Sequence, residues 1–368
     1  MPSLSTKKVA IAHDWLIGGG AEKVVLELHR IFPEAPIYTS YSTDEWRANL
    51  DYKVITGYLG HWPFSKIRKF VPYLRAHWFS HLDLSAYDLI ISSSGAEAKG
   101  IKVPKGTVHI NYCHAPTHYY WSRYDEYIQN PGFGALNWLA RIGLKLLLGP
   151  MRKWDYSAAQ RPDFILANST HIQKEIMRFY GRGSTVIHPP IDVERFEPYA
   201  KNQSRKGFVI TGRQTPYKRV DLAVSACTKL NLPLNVIGSG PDHKRLVSLA
   251  GPTIHFLTNV SDIDLPRHLS EAGGFIFPAL DDFGVSAVEA LAAGTPLVAF
   301  EAGGALDYVV SGQTGDFFSE QNIESLTAAL KAFDPSKFDP QTLVKKANDF
   351  SPKIFQHNIL EFIKINVV

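Results

Sequence analysis

Short apolar runs alternate with longer amphipathic stretches along the whole chain, the pattern of parallel strands joined by crossover helices. Residues 8–13, 37–39, 89–92, 108–112 and 164–168 read as strands of a first sheet, each followed by turn or cap residues. The pattern restarts at Gly207, with 208–212, 234–238, 254–257, 274–278 and 296–300 as strands of a second. A chain of 368 residues is long for one core and suits two α/β domains of similar size, with a cleft between them. Between the two sets, residues 186–207 carry three prolines and end in a polar run, the composition of a linker. The domains are therefore expected at 1–194 and 195–351, and residues 354–365, after the polar DFSPK, read as a final helix.

Composition narrows the class of function. A hydrophobic share of 45% against 20% charged residues fits a folded globular protein rather than a disordered one. The net charge of +4 is too small to argue for nucleic acid, and none is expected as a partner. Cys113 and Cys227 have neither metal-ligand spacing nor a disulfide framework, so both are expected buried and reduced, which favours the cytoplasm. The N-terminus runs from a polar tail into a strand without a signal-peptide pattern, and the most apolar stretch, 134–150, is interrupted by Arg141 and Lys145. Two segments mix cations with apolar residues, KIRKFVPYLR at 66–75 and ALNWLARIGLKLLLGPMRKW at 135–154. Such a mixture suits contact with anionic lipid headgroups on the inner face of a membrane, and equally suits a solvated or packed helix.

Three motifs carry chemistry. HDWLIGGGAEK places Gly18, Gly19 and Gly20 at the first strand-to-helix turn, where missing side chains let backbone amides approach an anion or a sugar. The spacing is not G-x-G-x-x-G, which argues against a nicotinamide cofactor. In the second domain, TGRQTPYKR sets Arg213 and Lys218 just beyond a strand end, where two cations can neutralise a pyrophosphate leaving group or make surface ion pairs. The turn at Gly238 follows the next strand and is expected to line the same pocket. In FPALDDFGVSAVEA, the acids Asp281 and Asp282 precede Phe283, Gly284, Val285 and Ser286, which open a helix with free N–H groups suited to phosphate. One turn on, Glu289 can accept hydrogen bonds from ribose hydroxyls. Two adjacent acids without further oxygen ligands make a poor metal site, so no metal is expected. His114, after the apolar VHINYC, fits a ligand contact or a hydrogen-bonded core residue, and His118 with Tyr119, Tyr120 and Trp121 fits sugar stacking or packing.

Taken together, HDW-GGG-EK, YCHAP, ANST, HPPID, GR-x4-K and DDFGVSAVEA resemble, in order and nearly over the full length, glycosyltransferase family 4 with its E-x7-E signature. That resemblance implies the GT-B fold, two Rossmann-like domains facing a cleft, with residues 352–368 returning to the first domain. It implies a retaining transferase acting from a nucleotide-sugar donor. HDWLIGGGAEK, YCHAPTHYYW and the DFG form of the second motif are most similar to GDP-mannose-dependent mannosyltransferases of O-antigen and other surface polysaccharide assembly. The implied acceptor is a glycan or a lipid-linked glycan bound by the first domain. Residue by residue, the resemblance gives Gly19 and Gly20 the donor phosphates, His114 the transferred sugar, Arg213 and Lys218 the phosphate charge, Asp281 the donor sugar and Glu289 the ribose. Asp281 stands where the family usually has glutamate. UDP-sugars are the alternative donors, and a catalytically silent nucleotide-sugar-binding protein is the alternative from another class.

Overall fold

The computed structural model describes residues 7–67, 71–129, 134–201 and 205–367. The chain forms two compact units, Met1–Pro189 with Phe355–Val368, and Pro190–Ile354. The junction lies slightly upstream of residue 195, because Ile191, Val193 and Phe196 are already buried in the core of the second unit.

The first unit is built on seven strands: β1 (Val9–His13), β2 (Ile37–Thr39), β3 (Val54–Thr56), β4 (Leu89–Ser94), β5 (Val108–Cys113), β6 (Phe164–Ala167) and β7 (Thr185–Val186). Their order is β3-β2-β1-β4-β5-β6-β7, with every pairing parallel. Val9 and Ile11 of β1 enter one core while Ala10 and Ala12 enter another. Such burial on both faces is what makes a parallel strand read as a continuous apolar run. The second unit repeats the plan with β8 (Phe208–Thr211), β9 (Leu234–Ile237), β10 (Ile254–Leu257), β11 (Gly274–Phe277), β12 (Leu297–Phe300) and β13 (Gly315–Phe318), in the order β10-β9-β8-β11-β12-β13. Here too all pairings are parallel. Helix Val220–Leu230 packs on one face of this sheet and helix Val285–Ala292 on the other.

Three strands escaped the sequence reading: β3, β7 and β13. All three are sheet edges. Edge strands are short and partly solvated, so they lack the two-sided apolar run that marks their central neighbours. In β3, Ile55 is exposed, and β7 is only two residues long.

The last helix, Pro352–Asn366, turns Phe355, Ile359 and Ile363 into the core of the first unit. Their spacing of four residues puts them on one face of the helix. Phe355 meets the Tyr112 ring edge-on at 5.9 Å, and Gln356 Nε2 donates to Glu27 Oε2 at 2.6 Å. Cys113 and Cys227 are buried, one in each unit, and are not disulfide-bonded. Replacing Phe355, which is 1% exposed, by alanine removes a fully buried ring. The expected cost is about 3–5 kcal/mol, read as a lower urea midpoint for the first unit, while a substitution at the exposed Ile365 on the same helix leaves the midpoint within error.

Candidate functional site

In a doubly wound sheet, ligands bind beyond the carboxyl ends of the two strands where the order reverses. In the second unit those strands are β8 and β11. Beyond β8 the backbone passes Gly212 (φ 138°), whose N–H donates to the Ile237 carbonyl at 3.1 Å. The buried Gln214 then ties the loop down: its Nε2 donates to the Gly238 carbonyl at 2.7 Å, and its Oε1 meets His243 Nδ1 at 2.7 Å. Lys218 closes the short 3-10 turn Pro216–Lys218. From the end of β11, residues 278–280 bring Asp281 alongside, and Lys218 Nζ donates to Asp281 Oδ2 at 2.5 Å. Residues 63 positions apart thus meet at the switch point.

The Lys218 ammonium feels two opposed effects. Burial works to lower its pKa, but the Asp281 carboxylate, with Tyr217 and Asp282, outweighs this and raises it above the usual 10.5. Both side chains keep some exposure, 24% and 15%, so a solute can reach the pair.

The motif after Asp281 is shaped by close backbone approach. Gly304 N–H donates to the Asp281 carbonyl at 2.9 Å, and a Cβ on Gly304 would stand 2.3 Å from Phe283 Cα. Gly284 takes φ 96°, with the Phe277 and Tyr308 rings so near that a Cβ would meet both at 2.5 Å. Only glycine fits there without displacing them. The helix Val285–Ala292 that begins here has no side-chain cap, which leaves its amino end and partial positive charge open to an anion. Ser286 lines one depression together with Gly212, Arg213, Lys218 and Pro278. Glu289 sits on the same helix and is buried.

Two of the expected ligand contacts also have packing duties. Phe283 is buried against the rings of Tyr308 and Phe350, at 5.5 and 5.4 Å, so its side chain shapes the loop from beneath. Gly238 (φ 114°) is demanded by packing, since a Cβ would lie 2.3 Å from the Gly212 carbonyl.

In the first unit the reversal falls between β1 and β4. Gly19 and Gly20 open the helix Gly20–Ile31 as expected. However, Glu22 folds back so that its Oε1 accepts from the N–H groups of Ile17 and Gly18, at 3.3 and 2.9 Å. Those two amides are committed internally, and an incoming anion is left with those further along the turn. His114, just past β5, bonds Ser93 Oγ through Nε2 at 2.7 Å and faces the His13 and Tyr112 rings edge-on. His13 Nδ1 lies 2.6 Å from the Ser93 carbonyl oxygen, so both histidines are referenced to one serine.

Asp14 was overlooked by sequence reasoning, although it stands in the HDW motif. Its carboxylate accepts from the N–H groups of Gly95, Ala96 and Ala98 at 2.7–3.0 Å and from Ser94 Oγ, fixing the loop after β4. In the aromatic segment after His114, Trp121 Nε1 donates to Asp155, as does Tyr180, and Tyr119 donates to Glu97. Among the described residues no three His, Cys, Asp or Glu side chains gather to hold a metal ion.

Residues 18–195 match the model of Glycosyltransferase Family 4, and residues 192–349 that of Glycosyl transferases group 1. A glycogen synthase of Mycobacterium tuberculosis is 29% identical over 46% of this chain and 45% of its own length. A D-inositol 3-phosphate glycosyltransferase of Mycobacterium marinum is 30% identical over 39% and 36%. A GDP-mannose-dependent alpha-(1-6)-phosphatidylinositol monomannoside mannosyltransferase of Mycolicibacterium smegmatis is 26% identical over 46% and 52%. The chain thus spans about half the length, or less, of these curated relatives. Among solved structures, HepE of Anabaena in complex with UDP superposes with a TM-score of 0.67 at 16% identity, covering 97% of this chain and 99% of that one. Sucrose-phosphate synthase of Thermosynechococcus elongatus gives 0.68 at 17%, covering 97% and 98%.

A raised lysine pKa means that the favourable charge at Lys218 is fully present below 10.5 and is lost only as pH climbs through the higher folded value. In Asp281→Asn the opposing burial stays while the attraction goes, so the Lys218 pKa falls. A carbon NMR titration of the lysine Cε should find the Lys218 resonance titrating above its exposed neighbours in the parent protein and moving below its parent value in Asp281→Asn. An unchanged midpoint would show that the ion pair does not set the charge of Lys218.

Proposed function

We propose that this chain, which has the two-domain GT-B fold, is a member of glycosyltransferase family 4 and transfers a hexose from a nucleotide-sugar donor with retention of configuration. The observation that carries the reading is the meeting of Lys218 and Asp281 at the strand-order reversal, beside Arg213 and the uncapped start of the Val285–Ala292 helix. The donor diphosphate is assigned to that helix start, with Arg213 and Lys218 balancing its charge. Glu289 is assigned the ribose hydroxyls, Asp281 and His114 the transferred hexose, and the first unit the acceptor, a glycan or lipid-linked glycan.

In the reaction, the bond from the anomeric carbon to the diphosphate oxygen breaks and a bond to an acceptor hydroxyl oxygen forms on the same face. The acceptor proton leaves with the departing diphosphate. Arg213 and Lys218 act where negative charge grows on the leaving group, the kind of electrostatic stabilisation that mutagenesis values most highly. Because two fixed cations supply this charge, no metal is assigned. Lys218 has a second duty as the partner of Asp281: the ion pair holds both side chains in place before donor arrives, and an incoming diphosphate gives Lys218 a second anion to serve.

GDP-mannose is the donor we assign. Support comes from the motif likeness of HDWLIGGGAEK and YCHAPTHYYW and from the GDP-mannose-dependent relative of Mycolicibacterium smegmatis. The specific alternative is a UDP-sugar, favoured by the solved structure of Anabaena HepE in complex with UDP-glucose. The acceptor we assign belongs to surface polysaccharide assembly, on the same motif likeness.

A thermal-shift screen with GDP, GDP-mannose, UDP and UDP-glucose separates these readings, since a bound ligand stabilises the native state by mass action. GDP and GDP-mannose are expected to raise the melting temperature. A response to UDP compounds alone moves the donor, and silence to every nucleotide counts against the transferase reading. With the responding donor and a lipid-linked glycan acceptor, Lys218→Ala is expected to lower kcat about 100-fold or more. Glu289→Ala should act chiefly on the donor KM, and EDTA should leave turnover unchanged.

A further inference from the structure

The helix Asn137–Ala159 has two dissimilar halves. Its second half is built into the first unit: Met151, Asp155, Ala158 and Ala159 are buried, Lys99 Nζ meets Asp155 Oδ1 at 2.7 Å, and Trp154 lies over Gly100. The first half, residues 137–150, has no buried residue. Yet Trp138, Leu139, Ile142, Leu146 and Leu147 lie there, each between 42% and 72% exposed. Trp138, Ile142 and Leu146 recur every four residues, and Leu139 and Leu146 are two turns apart, so they form one stripe. A stretch of this length extends roughly 20 Å.

Charge selects what covers the stripe. Between Asn137 and Trp154 the sequence carries Arg141, Lys145, Arg152 and Lys153 and no carboxylate; Arg141 donates to the Ile128 and Gln129 carbonyls and Arg152 to that of Tyr120, while Lys145 and Lys153 are exposed. A protein surface evolved to meet such a helix would need its own acids, whereas anionic headgroups supply the complement in bulk and the acyl boundary accepts the apolar side chains. None of the described helices is long and apolar enough to cross a membrane. Helix Pro72–Ser80 packs against the same Ala98–Gly100 turn as Asn137–Ala159 and leaves Tyr73 exposed. Of the expected basic segment 66–75, however, Arg75 faces inward: it is buried, bound to Glu97 through Nε and a terminal nitrogen, and stacked over Trp15. It contributes nothing to a lipid surface, and residues 68–70 lie outside the described residues.

We propose that residues 137–150 are an interfacial helix that docks this protein on an anionic lipid surface, with the Trp138–Ile142–Leu146 stripe in the acyl boundary and Lys145 among the headgroups. The inference goes beyond the transferase reading and does not rest on it.

The test is flotation of the full chain, without nucleotide, on vesicles of phosphatidylcholine with and without phosphatidylglycerol. The parent protein should float with the anionic vesicles and much less with the neutral ones. Leu139→Glu/Leu146→Glu, placed where nothing is buried, should cut the floated fraction about tenfold, with its circular dichroism and melting temperature unchanged. Lys145→Glu should weaken flotation on anionic vesicles alone. The proposal is overturned if the parent protein stays at the bottom of the gradient, if the double variant floats equally well, or if light scattering finds a parent dimer that the double variant loses while neither floats. Since no step requires a donor, failure of the nucleotide screen leaves this result readable.

Discussion

Reversal of strand order is the constraint from which both units take their shape. Right-handed crossovers send the connection from β8 to one side of its sheet and that from β11 to the other, so the loops beyond these neighbouring strands part and leave a crevice. Arg213 and Lys218 follow the first of those strands and Asp281 the second. Their meeting is a product of topology before it is one of side-chain chemistry. The first unit repeats the arrangement, with Asp14 beyond β1 and Gly95 to Ala98 beyond β4.

Contrasting charge pairs separate scaffold from site. Lys99 and Asp155 are almost wholly buried, and Asp155 accepts further bonds from Thr117, Trp121 and Tyr180. Arg75 and Glu97 are likewise enclosed. Breaking such a pair from one side costs about 3–5 kcal/mol, because the other charge stays buried. Lys218 and Asp281 are bonded just as closely but keep contact with solvent, so their partners can be exchanged. A carboxylate that a lysine can share with an arriving anion is a different device from one locked beneath a helix.

How much of this the sequence reveals depends on where the partners of each residue lie. Central strands are legible because burial on both faces leaves an unbroken apolar run, and edge strands β3, β7 and β13 are not. Arg213, Lys218 and Asp281 are legible as charges just past strand ends. Asp14 was missed because its partners are at least 80 residues away, in a loop with no charge to match it. Gln214 was missed for a related reason: it touches no ligand-like chemistry, and only the folded loop reveals that it fixes the segment between the two cations. Phe283 and Gly238 are legible as motif positions, but the aromatic stack beneath the one and the close backbone approach at the other appear only in the fold.

The return of helix Pro352–Asn366 to the first unit makes residues 190–354 an insertion within it. Both ends of the chain then belong to one unit, and the order in which the units can be completed during synthesis is inverted. The second unit has its whole sequence before the last helix is made, whereas the first must wait with its Tyr112 and Leu166 surface uncovered until Phe355, Ile359 and Ile363 leave the ribosome. The half of the protein that is translated first is thus the half that finishes last, and its open flank is the part most in need of protection while the chain grows.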